Sequence, residues 1–98
     1  MDINKAFGNA LKKSRKEKKK TQEDFGIVSS RTYISSLERG LQSVTIEKLE
    51  EIAAVIGVHP MILLYRSYCI KDGFKSGEKI IEILKNELLL EKATALKE

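Results

Sequence analysis

Residues 21–40 read TQEDFGIVSSRTYISSLERG, and this stretch decides the fold. Thr21 is placed to cap a short helix, with Asp24 three residues on and the acids Glu23 and Asp24 near its positive end. That helix is expected over residues 22–27, with Gly26 inside it at a helix-propensity cost of about 1 kcal/mol against alanine. A glycine there makes sense if another helix backbone comes close. Ser29 or Ser30 caps the next helix, which runs to Glu38, and Gly40 supplies the left-handed residue that ends it. Ile34 and Leu37, three apart, face inward. The outer side of the first turn is small and polar: Ser30, Arg31, Thr32. Two helices joined by a tight turn, the second opening with such side chains, suit insertion into a DNA major groove.

The flanks extend the pattern. Ile3, Phe7, Ala10, Leu11 and Ser14 recur at helical spacing, giving an amphipathic helix over residues 3–19. Ser43 or Thr45 starts a fourth helix with Ile46, Leu49, Ile52, Ala53 and Ile56 on one face and Gly57 as its stop. His59-Pro60 opens a fifth, with the proline at the first helical position, where a missing N–H costs nothing. Met61, Leu63, Leu64 and Tyr68 give it apolar surface. Residues 71–75, KDGFK, read as a loop, and Ser76 caps a last helix over residues 77–96. No stretch alternates long enough for a strand. The fold class is all-α: five short helices plus a C-terminal one.

Charge is local. The net charge is +4. Residues 1–20 hold eight Lys/Arg against two Asp/Glu, and residues 21–98 hold ten against twelve. A basic stripe beside a groove-reading helix is an electrostatic footprint for phosphate, although the same lysines also suit a plain solvated face. Lys12, Lys16, Lys18, Lys19 and Lys20 span most of the helical wheel, so only two or three can meet one DNA face. Anchoring of this helix to a membrane surface competes, but Ile3, Phe7 and Leu11 make a thin apolar stripe that the core needs.

Composition narrows the other classes. Six aromatic residues and no tryptophan leave few rings for base stacking, which argues against single-strand recognition. No apolar run approaches the roughly 20 residues of a membrane span, and the N-terminus lacks the apolar stretch of a secretory signal. The single cysteine, Cys69, has no internal partner, which favours a reducing cytoplasm, with the protein held at the nucleoid through DNA. His59 and Cys69 make neither a metal site nor an oriented nucleophile, and there is no Gly-rich phosphate loop. The expectation is a non-enzyme with no cofactor and no metal.

Thr21-Gln22-Glu23-Asp24-Phe25, then Thr32 to Gly40, and then Thr45-Ile46-Glu47-Lys48-Leu49 with Ile52-Ala53 and Ile56-Gly57-Val58, resemble the lambda-repressor-like (Cro/Xre-type) helix-turn-helix family of transcriptional regulators. The resemblance covers about residues 3–68. It implies that Gln22 touches a phosphate and braces the recognition helix. It implies that Ser30, Arg31, Thr32 and Ser36 face base edges or phosphates, that Tyr33 lies along the backbone, and that Arg39 meets the next phosphates. Arg15 and Glu38 stand where the family has a structural salt bridge. Lys16 and Lys20 add non-specific contacts. Chemistry gives Arg31 the sharpest role, since its paired donors fit guanine O6 and N7, while a phosphate contact or a solvated arginine is the plainer option. Tyr33 as core filler is the alternative to a phosphate donor.

The sequence departs from the family in the turn. Two residues are missing between the Thr21 and Tyr33 positions, and Ile27-Val28-Ser29-Ser30 fills a turn that usually holds a glycine. The expectation is that the second helix ends early and that Ile27 or Val28 plugs the core, while Gly26 keeps the small residue at the helix crossing. Lys20 and Val44 replace residues that are commonly apolar and proline.

The last helix carries Ile80, Ile81, Ile83, Leu84, Leu88, Leu89, Leu90, Ala93 and Leu96, a face too wide for a monomer of this size to cover. Dimerisation through Ile80, Ile81, Leu84 and Leu88 is expected, so residues 1–68 form the DNA-binding unit and 69–98 the loop and dimerising helix. A homodimer would place two recognition helices about 34 Å apart on a palindromic operator. The competing reading is an antitoxin or protein-interaction module that binds double-stranded DNA only with a partner protein.

Overall fold

A computed structural model describes residues 1–73 and 77–97, with side chains through residue 89. Among these residues the secondary structure is helical throughout, without a strand: α1 (Ile3–Glu17), a 3-10 turn (Gln22–Phe25), α2 (Arg31–Glu38), α3 (Ile46–Ile56), α4 (Pro60–Asp72) and α5 (Glu78–Lys97). The expected Ser76 cap, and the side chains of Leu90, Ala93 and Leu96, lie outside the described residues.

Short polar side chains set the helix starts. Asp2, Ser30 and Thr45 accept backbone N–H groups from Lys5, Tyr33 and Lys48 at 3.0, 3.1 and 3.0 Å. His59 caps α4, its Nδ1 accepting the Met61 N–H at 3.0 Å, with Pro60 at the first helical position. Left-handed residues set several ends: Gly40, Gly57 and Gly73 have φ of 74°, 88° and 70°. After α1 a lysine does this work. Lys19 has φ 57°, and the Lys20 N–H reaches back to the Arg15 carbonyl at 2.9 Å.

The core is one cluster of Phe7, Leu11, Phe25, Ile34, Leu37, Leu49, Ile52, Ala53, Ile56 and Leu63. α1, α2 and α3 supply it from apolar residues that recur on one face each, and Phe25 of the 3-10 turn and Leu63 of α4 complete it. α3 and α4 meet at 105° across Gly57 to His59. α4 is tied to α1 by Arg66, whose Nη1 donates to Ser14 Oγ and Glu17 Oε2 at 2.8 Å each. α5 reaches only α4. Its length raises the radius of gyration to 15.4 Å, against about 13 Å for a compact chain of this size. Among the described residues no single helix is long and apolar enough to cross a membrane.

The structure corrects three expectations here and decides between the two candidates for the core plug, Ile27 and Val28. The second helix is a single 3-10 turn, Gln22–Phe25, and does not continue through residue 27. Ile27 is 95% exposed and does not plug the core, whereas Val28 packs against it. Ile46 leaves the buried face of α3, being its first residue and 85% exposed. Gly26 is not at a helix crossing: a Cβ there would approach only the Glu23 carbonyl, at 3.2 Å. The crossing glycine is Gly8, where a Cβ would strike the carbonyl oxygens of Leu37 and Glu38, the latter at 2.6 Å. α1 therefore lies directly on the last turn of α2.

Candidate nucleic-acid interface

The surface around the start of α2 is built on a buried ion pair. Arg15 and Glu38 are each 8% exposed. Arg15 Nε donates to Glu38 Oε2 at 2.6 Å, and its second terminal nitrogen donates to Oε1 at 2.9 Å. The remaining Nη1 donates to the Lys20 carbonyl at 3.0 Å. Glu38 Oε1 also accepts from Gln22 Nε2 at 3.2 Å. One carboxylate thus joins α1, the 3-10 turn and α2. The hydrogen bonds to Glu38 hold the Arg15 guanidinium above its already high pKa, so it stays charged although burial works the other way.

The 3-10 turn is fixed at its start by Asp24, whose Oδ2 accepts the Thr21 N–H at 2.6 Å. That bond holds the Asp24 carboxyl below its ordinary value, with the charge of Lys20 adding to the effect. The shortened turn is stitched down from α3: Lys48 Nζ donates to the Val28 carbonyl at 2.6 Å and pairs with Glu51 at 3.0 Å. The same ammonium stands 6.0 Å from the centroid of the Tyr33 ring.

On this frame Gln22, Arg31, Thr32, Ser35 and Arg39 line one shallow polar depression of about 260 Å³. Arg31 and Thr32 are exposed, as is Arg39 at the end of α2. Arg31 Nε lies 3.2 Å from Glu23 Oε1, with both side chains about two-thirds exposed (68% and 62%). Ser30 is exposed, but its hydroxyl is engaged in capping α2. Tyr33 is half-buried and packs against the core.

Ser36 is a correction. It was expected on the outer face, yet it is 8% exposed. It sits in the turn of α2 where α1 makes its close approach at Gly8 and where the chain folds back at Gly40, the Leu41 N–H meeting the Ser36 carbonyl at 3.0 Å. Ser35 takes the outer place that Ser36 does not. Its position four residues after Arg31 and four before Arg39 is the sequence signal for it. Lys16 is exposed on the last turn of α1 and Lys20 is half-exposed just beyond it. At the far end of the chain Ile80 is half-buried against α4, while Ile81, Leu84 and Leu88 are 43%, 44% and 59% exposed.

This short helix start is rich in polar donors, backed by a buried ion pair and flanked by lysines. The sequence profile of the helix-turn-helix family matches residues 11–63, and the chain belongs to that family of DNA-binding transcriptional regulators. The chain is 48% identical over 60 residues to control protein C.MunI of Mycoplasma sp, covering 58% of this chain and 81% of that one. It is 42% identical over 60 residues to an HTH-type transcriptional regulator, y4dJ, of Sinorhizobium fredii, covering 59% and 78%. It is 33% identical over 66 residues to control protein C.BamHI of Bacillus amyloliquefaciens, covering 64% and 82%. α5 lies wholly beyond the family match.

Proposed function

We propose that this protein is a sequence-specific regulator that binds a palindromic operator in double-stranded DNA as a homodimer. The first turn of α2 enters the major groove, where Arg31 reads a guanine and Thr32 and Ser35 make weaker contacts. Gln22 and Arg39 take the phosphates on either side, and Lys16 and Lys20 add sequence-independent attraction. The carrying observation is the depression in which Gln22, Arg31, Thr32, Ser35 and Arg39 come together, backed by a buried ion pair that fixes α2 on α1. Two relatives are named control proteins, which fits a regulatory role.

The homodimer rests on the C-terminal part. Met61, Leu64, Tyr65, Tyr68, Ile83 and Leu84 line an apolar groove of about 420 Å³ between α4 and α5. Leu88 and Leu89 lie exposed past it, at 59% and 63%. Residues 1–68 then form the DNA-binding unit, and the second copy covers the groove between α4 and α5 and the exposed face of α5. The reading is tested by selecting duplexes from a random-sequence pool and measuring binding across a salt series, with light scattering on the protein alone. A two-fold-symmetric consensus with a steep salt slope and a dimeric mass supports it. Absence of any enriched sequence at low salt overturns the operator reading. A monomer at tens of micromolar overturns the dimer.

A further inference from the structure

Glu23 puts a negative charge among the groups that would meet DNA, where it opposes non-specific attraction to phosphate. Its backbone is anchored on both sides, because Gln22 is held by Glu38 and Asp24 by Thr21. From that fixed point its Oε1 lies 3.2 Å from Arg31 Nε. An ion pair this exposed contributes little to stability, so fold maintenance does not account for it. The pair is a charge contact rather than an aligned hydrogen bond, and its nearest guanidinium atom is Nε. A guanidinium has five N–H donors in a planar fork, and a carboxylate on Nε leaves the two Nη groups free on the other edges.

Resting on the reading of Arg31 as the guanine-contacting residue, we propose that Glu23 is a positioning residue for sequence readout. It takes Arg31 by Nε and thereby aims the Nη donors at guanine O6 and N7. It also neutralises the guanidinium for other uses, so that Arg31 is less available as a general phosphate clamp. Closing of the groove around the pair excludes water and strengthens both contacts at once. Specific affinity gains from Glu23, and non-specific affinity is reduced by it.

The opposite signs make the test. Fluorescence anisotropy compares wild type, Glu23→Ala, Glu23→Gln, Arg31→Ala and the Glu23→Ala/Arg31→Ala pair on a duplex selected by wild type and on a scrambled duplex. Glu23→Ala is expected to weaken the selected duplex on the order of tenfold, within the range of one guanine contact. It should strengthen the scrambled duplex about twofold at low salt by removing a negative charge. Glu23→Gln, which keeps an acceptor oxygen, should fall between Glu23→Ala and wild type on the selected duplex. The double variant should match Arg31→Ala on the selected duplex, since Glu23 acts through Arg31. Thermal unfolding of Glu23→Ala should equal that of wild type. Stronger binding of Glu23→Ala to both duplexes, no change on the selected one, or additive losses in the double variant would each overturn the positioning role while leaving Arg31 in place. If Arg31→Ala preserves discrimination against a substituted guanine, the reading of Arg31 itself fails, and the proposal falls with it.

Discussion

Arg15 and Glu38 hold one another by two hydrogen bonds, 2.6 and 2.9 Å long, out of reach of bulk water, and Gln22 shares the same carboxylate. α1 carries the exposed Lys12, Lys13 and Lys16 and α2 the exposed Arg31 and Thr32, so this pair fixes those two surfaces, which we propose meet phosphates and bases, relative to each other. Removing one partner strands a buried charge, which costs about 3–5 kcal/mol. Arg15→Ala and Glu38→Ala should each lower the unfolding free energy by that amount, read from denaturant curves at constant m. Arg15→Met combined with Glu38→Leu should cost less than either, because no unpaired charge is left. Equal losses in the single and double variants would count against this account.

Gly8 is required by contact between backbones. A Cβ at Gly8 meets carbonyl groups of α2, and carbonyls cannot rotate away as a flexible side chain can. Gly8→Ala should therefore destabilise by about 2 kcal/mol or more, as overpacking does. The gain in helix propensity, about 1 kcal/mol, offsets only part of it. Gly26→Ala is the control, with only the Glu23 carbonyl near and ordinary helical φ of −55°. It should leave the thermal midpoint nearly unchanged.

Asp24 sets an acid-side dependence. Its carboxyl is held below its ordinary value of 3.8, first by the Thr21 N–H. A depressed folded-state pKa means that the stabilisation is present above 3.8 and is lost as pH falls through the lower folded value. Asp24→Asn should thus be less stable than wild type at pH 7. The gap should close as pH drops below that ordinary value, as followed by urea midpoints across the range. A gap independent of pH would show that the carboxylate charge is not what holds the turn.

Base and phosphate contacts separate by their response to sequence and salt. Arg31→Ala should relax preference at one position by about 1–3 kcal/mol. Lys16→Ala should weaken all duplexes alike and reduce the logarithmic salt slope by about one unit. Band shifts on selected and scrambled duplexes measure both, and identical behaviour of the two variants would contradict the assignment.

The proposed self-association face has its own test. Leu88→Glu places a charge on the exposed part of α5, away from the core cluster. It should shift the mass toward monomer in light scattering without lowering the thermal midpoint of residues 1–68. Loss of the dimer should also weaken binding to a full palindrome far more than to a half-site.

Much of the helical layout was legible because caps are local chemistry. Ser30, Thr45, His59-Pro60, Gly40 and Gly57 mark helix ends by what their own side chains or φ angles allow, and the structure uses them so. The 3.6-residue period of Phe7, Leu11, Ile34, Leu37, Leu49, Ile52 and Ile56 likewise placed the core. The conformation of the turn was not legible. Whether Ile27 or Val28 turns inward depends on where α3 lies, and so does the lysine that stitches the turn, 20 residues away in sequence.

Residue type and spacing alone determined the helix class, the family, the local positive charge and the polar opening of α2. Those properties follow from interactions within a few residues, or from patterns that a single helix face imposes. Only the tertiary structure decided that Ser35 rather than Ser36 shares a surface with Arg31, that Gly8 rather than Gly26 admits the neighbouring helix, and that Glu23 reaches Arg31. Each depends on how closely and at what angle two elements separated in the chain approach. An approach of that kind is set by the packing of the whole core, and no window of sequence contains it.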